Sequence, residues 1–498
     1  MKTKFVDNKY NIIFIIESIL FFILCLFFVP VSDDLFFAYN YSYDGLGGLI
    51  HQVLYYGNGR LIANFIGMFF AKHIMFFYPI EALLVVLFAV FVEKLIGLKN
   101  SKILVLAFIA AIPLRQFKEL FAWMCAFINY FMPILFLVIT LLMIKKNLCQ
   151  KHKIYYAVLF VLGFCEQLFV EHSTIINILL AMTLLIYCFV KNKSYSKPIA
   201  ALLLSNILGA VVMFTYKYYI DYSKTHVSQY SPNYRKTVFT YFENGGIKAA
   251  LRFMMQETKT FTLIIITSVL LISILLIVMF CIEKKAEKKE IKHISFFIAT
   301  GISYGVLLII TEYNFIVFDN DIPKSNKLFM AVLVFFIILT FTLMAVLFYK
   351  TIIKRMNKKQ ILTIFILLFF AVLSFSPFLF VFPYGYRCAF LSIFFIMIAL
   401  LYIIKFAKDE YNFNIEKLYN TVFIIAGIVM IIYTGLYARE KKIFNYKIEY
   451  HKTSYYLPAA DENIVFIDNN EFFDHHSGIT HKYIPLEEFE SILADNNQ

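Results

Sequence analysis

The chain has little charge and few of the residues that make turns in soluble proteins. Only 16% of its 498 residues are charged, and it contains 17 Gly and 11 Pro. Soluble domains carry about 25% charged residues. Hydrophobic residues make up 61% of the chain, aromatic residues 19%, and the mean hydropathy is +0.74. This composition excludes a soluble globular protein and indicates a polytopic membrane protein.

Paired cysteines and a cleavable leader are also lacking. The seven Cys are scattered, and most fall inside apolar segments, so neither a disulfide framework nor a zinc site is indicated. The first apolar segment ends in Phe28-Val29-Pro30-Val31, without a small-x-small cleavage motif. We therefore expect the first helix to be retained as a membrane anchor.

Positive charge is in excess, with a formal net charge of +13. The Lys and Arg residues form short runs between the apolar segments, as expected of cytoplasmic loops that face anionic lipid. The pattern indicates membrane lipid as a partner, and no nucleic-acid partner is expected.

The apolar segments predict an all-α integral membrane protein with about 13 transmembrane helices, since a span needs about 20 apolar residues. With the N-terminus in the cytoplasm, every basic run falls on the cytoplasmic side. We therefore expect a multi-pass protein of the plasma or inner membrane. The predicted spans lie near 10–30, 76–97, 102–114, 127–145, 154–172, 174–191, 197–216, 261–282, 293–312, 328–349, 361–382, 387–406 and 418–437.

Two segments depart from this pattern. Residues 61–75 are apolar enough to span, but a span there would invert the charge rule downstream, so they are predicted to form an amphipathic helix at the outer interface. Residues 439–498 are acidic and are predicted to be a small extracytoplasmic appendage. The expected organisation is a membrane domain over 1–438 followed by this region.

Polar residues that apolar spans should avoid collect on the predicted outer face. The cytoplasmic loops, in contrast, are short Lys-rich connectors. This one-sided distribution predicts that the active or binding side is extracytoplasmic. The candidate substrate-binding residues are Asn58, Arg60, Trp123, Asn129, Tyr130, Glu166, Arg235 and Arg387.

Two adjacent carboxylates, Asp33 and Asp34, follow the first apolar segment directly. At a membrane surface, burial can tune the pKa of a carboxyl group and a lipid-borne substrate can reach it. A carboxylate can remove a proton from an acceptor hydroxyl, while Arg guanidinium groups neutralise charge on a departing phosphate. Glycosyl transfer from a polyprenyl-phosphate sugar needs both functions, so Asp33 and Asp34 are the candidate catalytic residues.

The same residues carry a resemblance to the GT-C glycosyltransferase superfamily. The chain is similar to bacterial polytopic members with Asp-Asp after the first helix, Gly-Arg at the end of the first loop, a Trp followed by Asn-Tyr, and a late Pro-x-x-x-x-Arg. Here these are Asp33-Asp34, Gly59-Arg60, Trp123 with Asn129-Tyr130, and Pro383 with Arg387. The resemblance covers most of residues 1–410 and not the tail.

The resemblance implies a GT-C-like fold with an interfacial helix in the first outer loop. It implies that one of the two aspartates is the base, that the donor is a polyprenyl-phosphate sugar, and that transfer inverts the anomeric carbon. The acceptor would be a cell-envelope glycan or a lipid-linked one. No metal site is predicted, because no His or third carboxylate has the spacing to complete one; a divalent metal bridging the pair is the alternative.

Each motif also has a structural interpretation. Ser32, Asp33 and Asp34 could cap a helix that begins at Leu35. Arg60 could reach lipid headgroups, and Trp123 could anchor the chain at the interface. Glu166 could belong to a buried pair or be a neutral acid. Arg235 and Arg387 could each cap the carbonyls of neighbouring helices.

Two other functions compete with glycosyl transfer. A lipid-linked glycan translocator would also have many spans, but it should carry charges in mid-span and an internal repeat. A polysaccharide polymerase or ligase would use Arg-rich outer loops, which residues 217–260 match in part. A polymerase or ligase does not require paired aspartates after the first helix. A purely structural membrane scaffold is a third alternative, but it leaves the one-sided grouping of polar residues unexplained.

Overall fold

A computed structural model describes the chain over residues 2–31, 34, 37, 45–48, 50–51, 54, 59–112, 114–190, 196–216, 236–237, 246, 275, 278–280, 282, 295–303, 306, 327–376, 381–382, 386–411 and 413–451. Helices dominate these residues, as the composition predicts. Strands within them are limited to two residues each, at Lys236–Thr237 and Val381–Phe382.

The described α-helices follow the predicted order. They are α1 Lys2–Cys25, α2 Leu61–Phe70, α3 Phe77–Ile96, α4 Lys102–Ala110, α5 Leu114–Leu120, α6 Met124–Tyr130, α7 Met132–Lys145, α8 Leu148–Lys151, α9 Ile154–Glu166, α10 Glu171–Val190, α11 Ser196–Phe214, α12 Lys327–Thr351, α13 Lys358–Phe375, α14 Phe390–Tyr411 and α15 Ile415–His451. Short 3₁₀ turns are Ala71–Phe76, Ile353–Arg355 and Tyr386–Ala389.

Eight helical stretches within the described residues are long and apolar enough to cross a membrane. Their outward faces carry large apolar side chains: in α15, Ile424, Ile428 and Ile431 are each more than half exposed. A soluble protein rarely exposes such a stripe, so the faces fit contact with lipid. The prediction of a multi-pass α-helical membrane protein is confirmed at this level, while the number 13 and the GT-C architecture stay predictions.

Two predicted spans are shorter than a single crossing. Helix α4 has 9 residues, all of them buried except at its first position, and helix α9 has 13. At 1.5 Å per residue they measure roughly 14 and 20 Å, against a hydrocarbon core of about 30 Å. Helix α4 ends in a turn at Ala111 and Ile112, and α5 begins at Leu114, so this apolar stretch does not form one continuous helix.

Other expectations meet the structure only in part. The predicted interfacial helix begins at Leu61 as expected but ends at Phe70, and His73 interrupts the following turn with a φ of -139° and ψ of 53°. The span near 328–349 falls on α12, and α15 continues past residue 438, where the tail was predicted to begin. Residues 452–498, the 261–282 span except 275, 278–280 and 282, and 304–312 of the next span except 306 lie outside the described residues.

The chain divides into two compact units. The first unit joins Met1–Lys236, Val381–Leu391 and Phe423–Gln498, and the second joins Thr237–Phe380 and Ser392–Val422. In the second, the rings of Phe370 and Phe395 lie 5.6 Å apart.

Aromatic packing forms the core of the first unit. The rings of Phe127 and Phe131 stack at 4.5 Å, and Phe121 lies 5.8 Å from Phe131. Phe390, from the stretch Val381–Leu391, packs on both Phe121 and Phe131. Aromatic pairs of this kind are worth about 0.5–1.5 kcal/mol each beyond the area they bury. They fix Arg387 and its neighbours against α6.

Candidate functional site

Asp34 binds the N-terminus of α6, a helix that begins 90 residues later in the chain, at Met124. Its Oδ2 accepts a hydrogen bond from the Met124 amide at 3.1 Å, and its Oδ1 accepts one from the Cys125 amide at 2.9 Å. The first amides of a helix have no partners within the helix, and the residue at the start of this one is Trp123, whose side chain cannot accept them. Asp34 supplies the missing acceptor, so it is a helix cap, but for a distant helix rather than one that begins at Leu35.

The environment of Asp34 raises the pKa of its carboxyl group to about 7. The dominant cause is burial, since the residue is fully buried, and desolvation disfavours the charged form. The hydrogen bonds from Cys125, Met124 and Val31 oppose this effect and lower the pKa. The carboxyl group therefore titrates near neutral pH.

Trp123 carries the guanidinium group of Arg387 on its face. The central guanidinium carbon lies 4.4 Å from the centroid of the Trp123 ring and 5.7 Å from that of Tyr130. An Arg over an aromatic face is attracted by the ring quadrupole. The same side chain forms an ion pair with Glu119 at 3.4 Å. Arg387 is thus held by a carboxylate and two aromatic rings.

Tyr130 and His172 extend this group of rings toward α10. The two rings stack, with centroids 5.6 Å apart and planes 27° from parallel, and the Cys388 thiol donates to the Tyr130 hydroxyl at 3.4 Å. Both rings are more than nine-tenths buried. Trp123, Tyr130, His172 and Arg387 therefore form one contiguous cluster, which we call the aromatic–arginine cluster.

The two residues of the Gly59-Arg60 motif each contact a distant part of the chain: Gly59 packs against Met213, and Arg60 pairs with Glu171. A Cβ atom at Gly59 would overlap the carbonyl group of Met213, so only glycine allows this approach. Arg60 then makes a bidentate ion pair with Glu171: its Nη2 lies 2.7 Å from Oε2, and its Nε lies 3.1 and 3.2 Å from the two carboxylate oxygens. Because Glu171 precedes His172, this pair borders the aromatic–arginine cluster.

The remaining candidate residues either make other contacts or lie outside the described residues. Asn129 donates to the Cys125 carbonyl at 2.7 Å, within its own helix. Glu166 is fully buried at the end of α9, and neither of its carboxylate oxygens has a hydrogen-bond partner among the described residues. No contact joins it to the cluster in that part of the chain. Asp33, Asn58 and Arg235 lie outside the described residues.

The motifs did not indicate that both arginines would pair with glutamates, Glu171 and Glu119. They also missed two acids, Glu17 in α1 and Glu81 in α3. Both are fully buried, and no oxygen of either has a hydrogen-bond partner in the described part of the chain. The sequence feature that could have identified Glu17 and Glu81 is a single acid within a long apolar run. An ionisable side chain in such a position is energetically costly, which makes it a candidate functional residue.

The described part of the site contains no cluster of metal ligands. Within residues that the structure describes, no three His, Cys, Asp or Glu side chains are grouped to hold a metal ion. Asp33 lies outside them, so a metal that bridges the aspartate pair stays the alternative prediction.

Lysines gather at the far end of the helices that carry the cluster. The Lys145 ammonium group donates to the carbonyls of Lys94 and Leu95 at 3.0 and 2.7 Å. The helical stretch from Met124 to Lys145 has 22 residues, so its ends are roughly 33 Å apart. The Met124 end, where Asp34 binds, is therefore about one hydrocarbon thickness away from Lys145.

Comparison with protein-family models, with curated proteins and with solved structures finds no match to this chain.

Proposed function

We propose that the protein is a membrane glycosyltransferase of the GT-C type, which transfers a sugar from a polyprenyl-phosphate donor to an extracytoplasmic glycan or lipid-linked acceptor. The observation that carries the proposal is the meeting of carboxylate and guanidinium at one point of the fold. Asp34 binds the amide of Met124, and Arg387 lies on the ring of the preceding residue, Trp123. Asp34 and the half-buried Arg387 thereby contact neighbouring residues at the start of α6, although 353 positions separate them in the sequence.

In the proposed reaction, a carboxylate of the Asp33-Asp34 pair removes the proton from an acceptor hydroxyl group. The hydroxyl oxygen attacks the anomeric carbon, and the bond to the phosphate oxygen breaks with its electron pair on the leaving polyprenyl phosphate. Attack from the side opposite the phosphate inverts the anomeric configuration. The Arg387 guanidinium, and Arg60 at the border of the cluster, stabilise the charge that develops on the phosphate.

The distribution of charge supports an extracytoplasmic site. Lys94, Lys145 and their neighbours form the basic end of the same helices, and basic ends face the cytoplasm. The aromatic–arginine cluster then faces the outside, where envelope glycans are assembled. Polar residues at this end would meet the phosphate of a donor whose polyprenyl chain lies in the bilayer.

The proposal is tested by reconstituting the purified protein in liposomes that contain a polyprenyl-phosphate sugar with a radiolabel in the sugar. We expect transfer of label to an added envelope glycan or lipid-linked acceptor, and loss of at least about 100-fold in kcat when the base is removed. The variants are Asp33→Asn and Asp34→Asn. The matched control is Asp409→Asn, because Asp409 is an exposed acid near the end of α14. Full activity in both single variants and in the double variant would refute the carboxylate mechanism.

A lipid-linked glycan translocator is the second candidate, and the buried acids favour it. Glu17 and Glu81 lie within apolar helices and lack hydrogen-bond partners in the described structure, as mid-span acids of a translocator would. A flipping assay with fluorescent lipid-linked glycan distinguishes the two functions. Loss of flipping in Glu17→Gln and Glu81→Gln, with no sugar transfer in the unmodified protein, would favour the translocator.

A further inference from the structure

One face of α15 is exposed from Ile424 to Lys442. Residues spaced three or four apart lie on the same face of a helix, and an apolar run followed by cations is exposed at such spacings here. The exposed residues are Ile424, Ile428, Ile431, Gly435, Arg439 and Lys442. They extend over roughly 27 Å of helix. We call this surface the docking face.

The opposite face of α15 packs on a helix that borders the candidate site. The Tyr433 hydroxyl donates to the Ile112 carbonyl at 2.8 Å, and the Tyr433 ring lies 5.2 Å from that of Phe117 in α5. Helix α5 also contains Glu119, which pairs with Arg387. Both α15 and Arg387 therefore contact α5.

The basic end of the docking face lies at the end of the fold where Asp34 binds. The ammonium group of Lys441 donates to the Leu26 carbonyl at 2.6 Å, just beyond the end of α1, and Asp34 is bonded to Val31 shortly after it. Glu440, the acid in the same turn, is buried. In the proposed orientation this end is extracytoplasmic, where the charge rule for insertion does not favour Lys and Arg. The cations therefore fit a ligand with negative charge.

We propose that the docking face binds polyprenyl phosphate, with the isoprenoid chain along the three isoleucines and the phosphate beside Arg439 and Lys442. The inference rests on the proposed function, because polyprenyl phosphate is the lipid that glycosyl transfer releases. The face would hold this product after it leaves Arg387, one helix away from the site.

Charge and shape favour polyprenyl phosphate over the phospholipids of the bilayer. A phosphate monoester carries about −1.5 to −2 charges at pH 7, whereas the phosphodiester of a phospholipid carries a single one, so a group of cations attracts the monoester more strongly. A Cβ atom at Gly435 would meet nothing within 4 Å beyond its own turn of helix. The glycine thus leaves room beside the cations, where a ligand can approach the backbone closely.

Photolabelling tests the docking face without turnover. The purified protein is placed in nanodiscs of zwitterionic phosphatidylcholine with polyprenyl phosphate that carries a diazirine in its isoprenoid chain. Labelled peptides are then identified by mass spectrometry. We expect label on α15 within residues 424–435. Unlabelled polyprenyl phosphate should displace the probe, and phosphatidylglycerol at the same concentration should not.

Removal of the two exposed cations should weaken the labelling of α15. The double variant Arg439→Gln, Lys442→Gln should need about 10- to 30-fold more probe for half-maximal labelling, given the usual contribution of a basic residue at a membrane surface. Lys417→Gln is the matched control, because Lys417 is exposed near the start of the same helix. In the unmodified protein, raising the salt from about 0.05 to about 0.5 M should also weaken the labelling, since salt screens exposed charges. This last comparison does not depend on how a variant folds.

The docking face and the proposed function fail in different ways. Equal displacement by phosphatidylglycerol, label confined to other helices, or labelling unchanged in the double variant and at high salt would each overturn the docking face, even in a protein that transfers sugar. Specific labelling of α15 in a protein that transfers no sugar would refute the proposed function and support the docking face.

Discussion

The guanidinium carbon of Arg387 lies 4.4 Å from the centroid of the Trp123 ring. Since Trp123 is the only tryptophan, any anion that moves this guanidinium changes the fluorescence of the whole protein. We expect polyprenyl phosphate to alter the emission in a saturable titration. Arg387→Gln should weaken binding about 10- to 100-fold, because a charge-assisted hydrogen bond is worth about 1.5–3 kcal/mol.

The matched control for this titration is Arg355→Gln. Arg355 donates to the Thr351 carbonyl at the end of α12, and no described contact joins it to Trp123. The Arg355→Gln variant should leave the affinity for polyprenyl phosphate unchanged. A titration in which Arg387→Gln binds as tightly as the unmodified protein would exclude this arginine from the phosphate site.

The stability of the protein should depend on pH through Asp34. The folded state keeps the proton up to a pKa of about 7, while the unfolded chain releases it near the ordinary value of 3.8. Between these values the folded state binds more protons, so the free energy of unfolding falls as pH rises from about 4 to about 7 and is then constant. The effect is at most about 4 kcal/mol. Thermal unfolding in detergent measures the effect. The stability of the unmodified protein relative to Asp34→Asn should decline as pH rises through this window. A relative stability that rises with pH would contradict the burial of Asp34.

Gly59→Ala should destabilise the protein by about 1–3 kcal/mol, because a Cβ atom there overlaps the Met213 carbonyl group and the backbone must shift. Gly435→Ala is the matched control, as a Cβ atom there in α15 would meet nothing within 4 Å beyond its own turn of helix. The control should be neutral or stabilising by up to about 1 kcal/mol, given the helix propensity of alanine. Chemical unfolding in detergent measures both, and equal effects would argue against the close approach at Gly59.

Arg60 and Glu171 should be coupled in a double-mutant cycle. Both side chains are 19% exposed, and the pair is bidentate, so we expect a coupling of about 1 kcal/mol in stability. Arg60→Lys should lose most of it, because an ammonium group cannot make the paired contacts. Additive effects of Arg60→Gln and Glu171→Gln would mean that the contact contributes nothing.

Glu17→Leu should raise the free energy of unfolding by about 1–4 kcal/mol, because a buried carboxyl group without a partner is replaced by an apolar side chain. Asp409→Leu, on an exposed surface, should change it little. If Glu17→Leu is more stable but inactive, the acid serves function rather than folding. A loss of stability would instead reveal that Glu17 has a partner.

The helices were predictable because long apolar runs have few alternatives in a membrane. The first and last spans fall on α1 and α15, and the basic end of α7 caps α3 as the charge rule implies. The broken helix α4 was not predictable, since an apolar run does not reveal whether lipid or protein surrounds it. Its buried positions, Ile103 through Ala110, show that protein does.

The partners of the candidate residues could not be predicted from the sequence. Arg60 and Glu171 are separated by 111 positions, and Arg387 and Glu119 by 268. A local pattern carries no information about such contacts. The helix-cap interpretation of Asp34 illustrates the limit: the chemistry of the cap was right, but an acceptor can cap any helix that the fold brings to it, and here it caps α6.

The first compact unit is assembled from three separate stretches of chain, and its aromatic–arginine cluster is completed by the middle stretch, Val381–Leu391. Synthesis must therefore cover the 268 positions between Glu119 and Arg387 before the ion pair can form, which takes roughly 10–50 s at ordinary rates of translation. During that interval the early helices are inserted with Trp123 uncovered and Glu119 without its arginine. The aromatic–arginine cluster is therefore completed late in biogenesis, after the helices that precede Val381 have been synthesised.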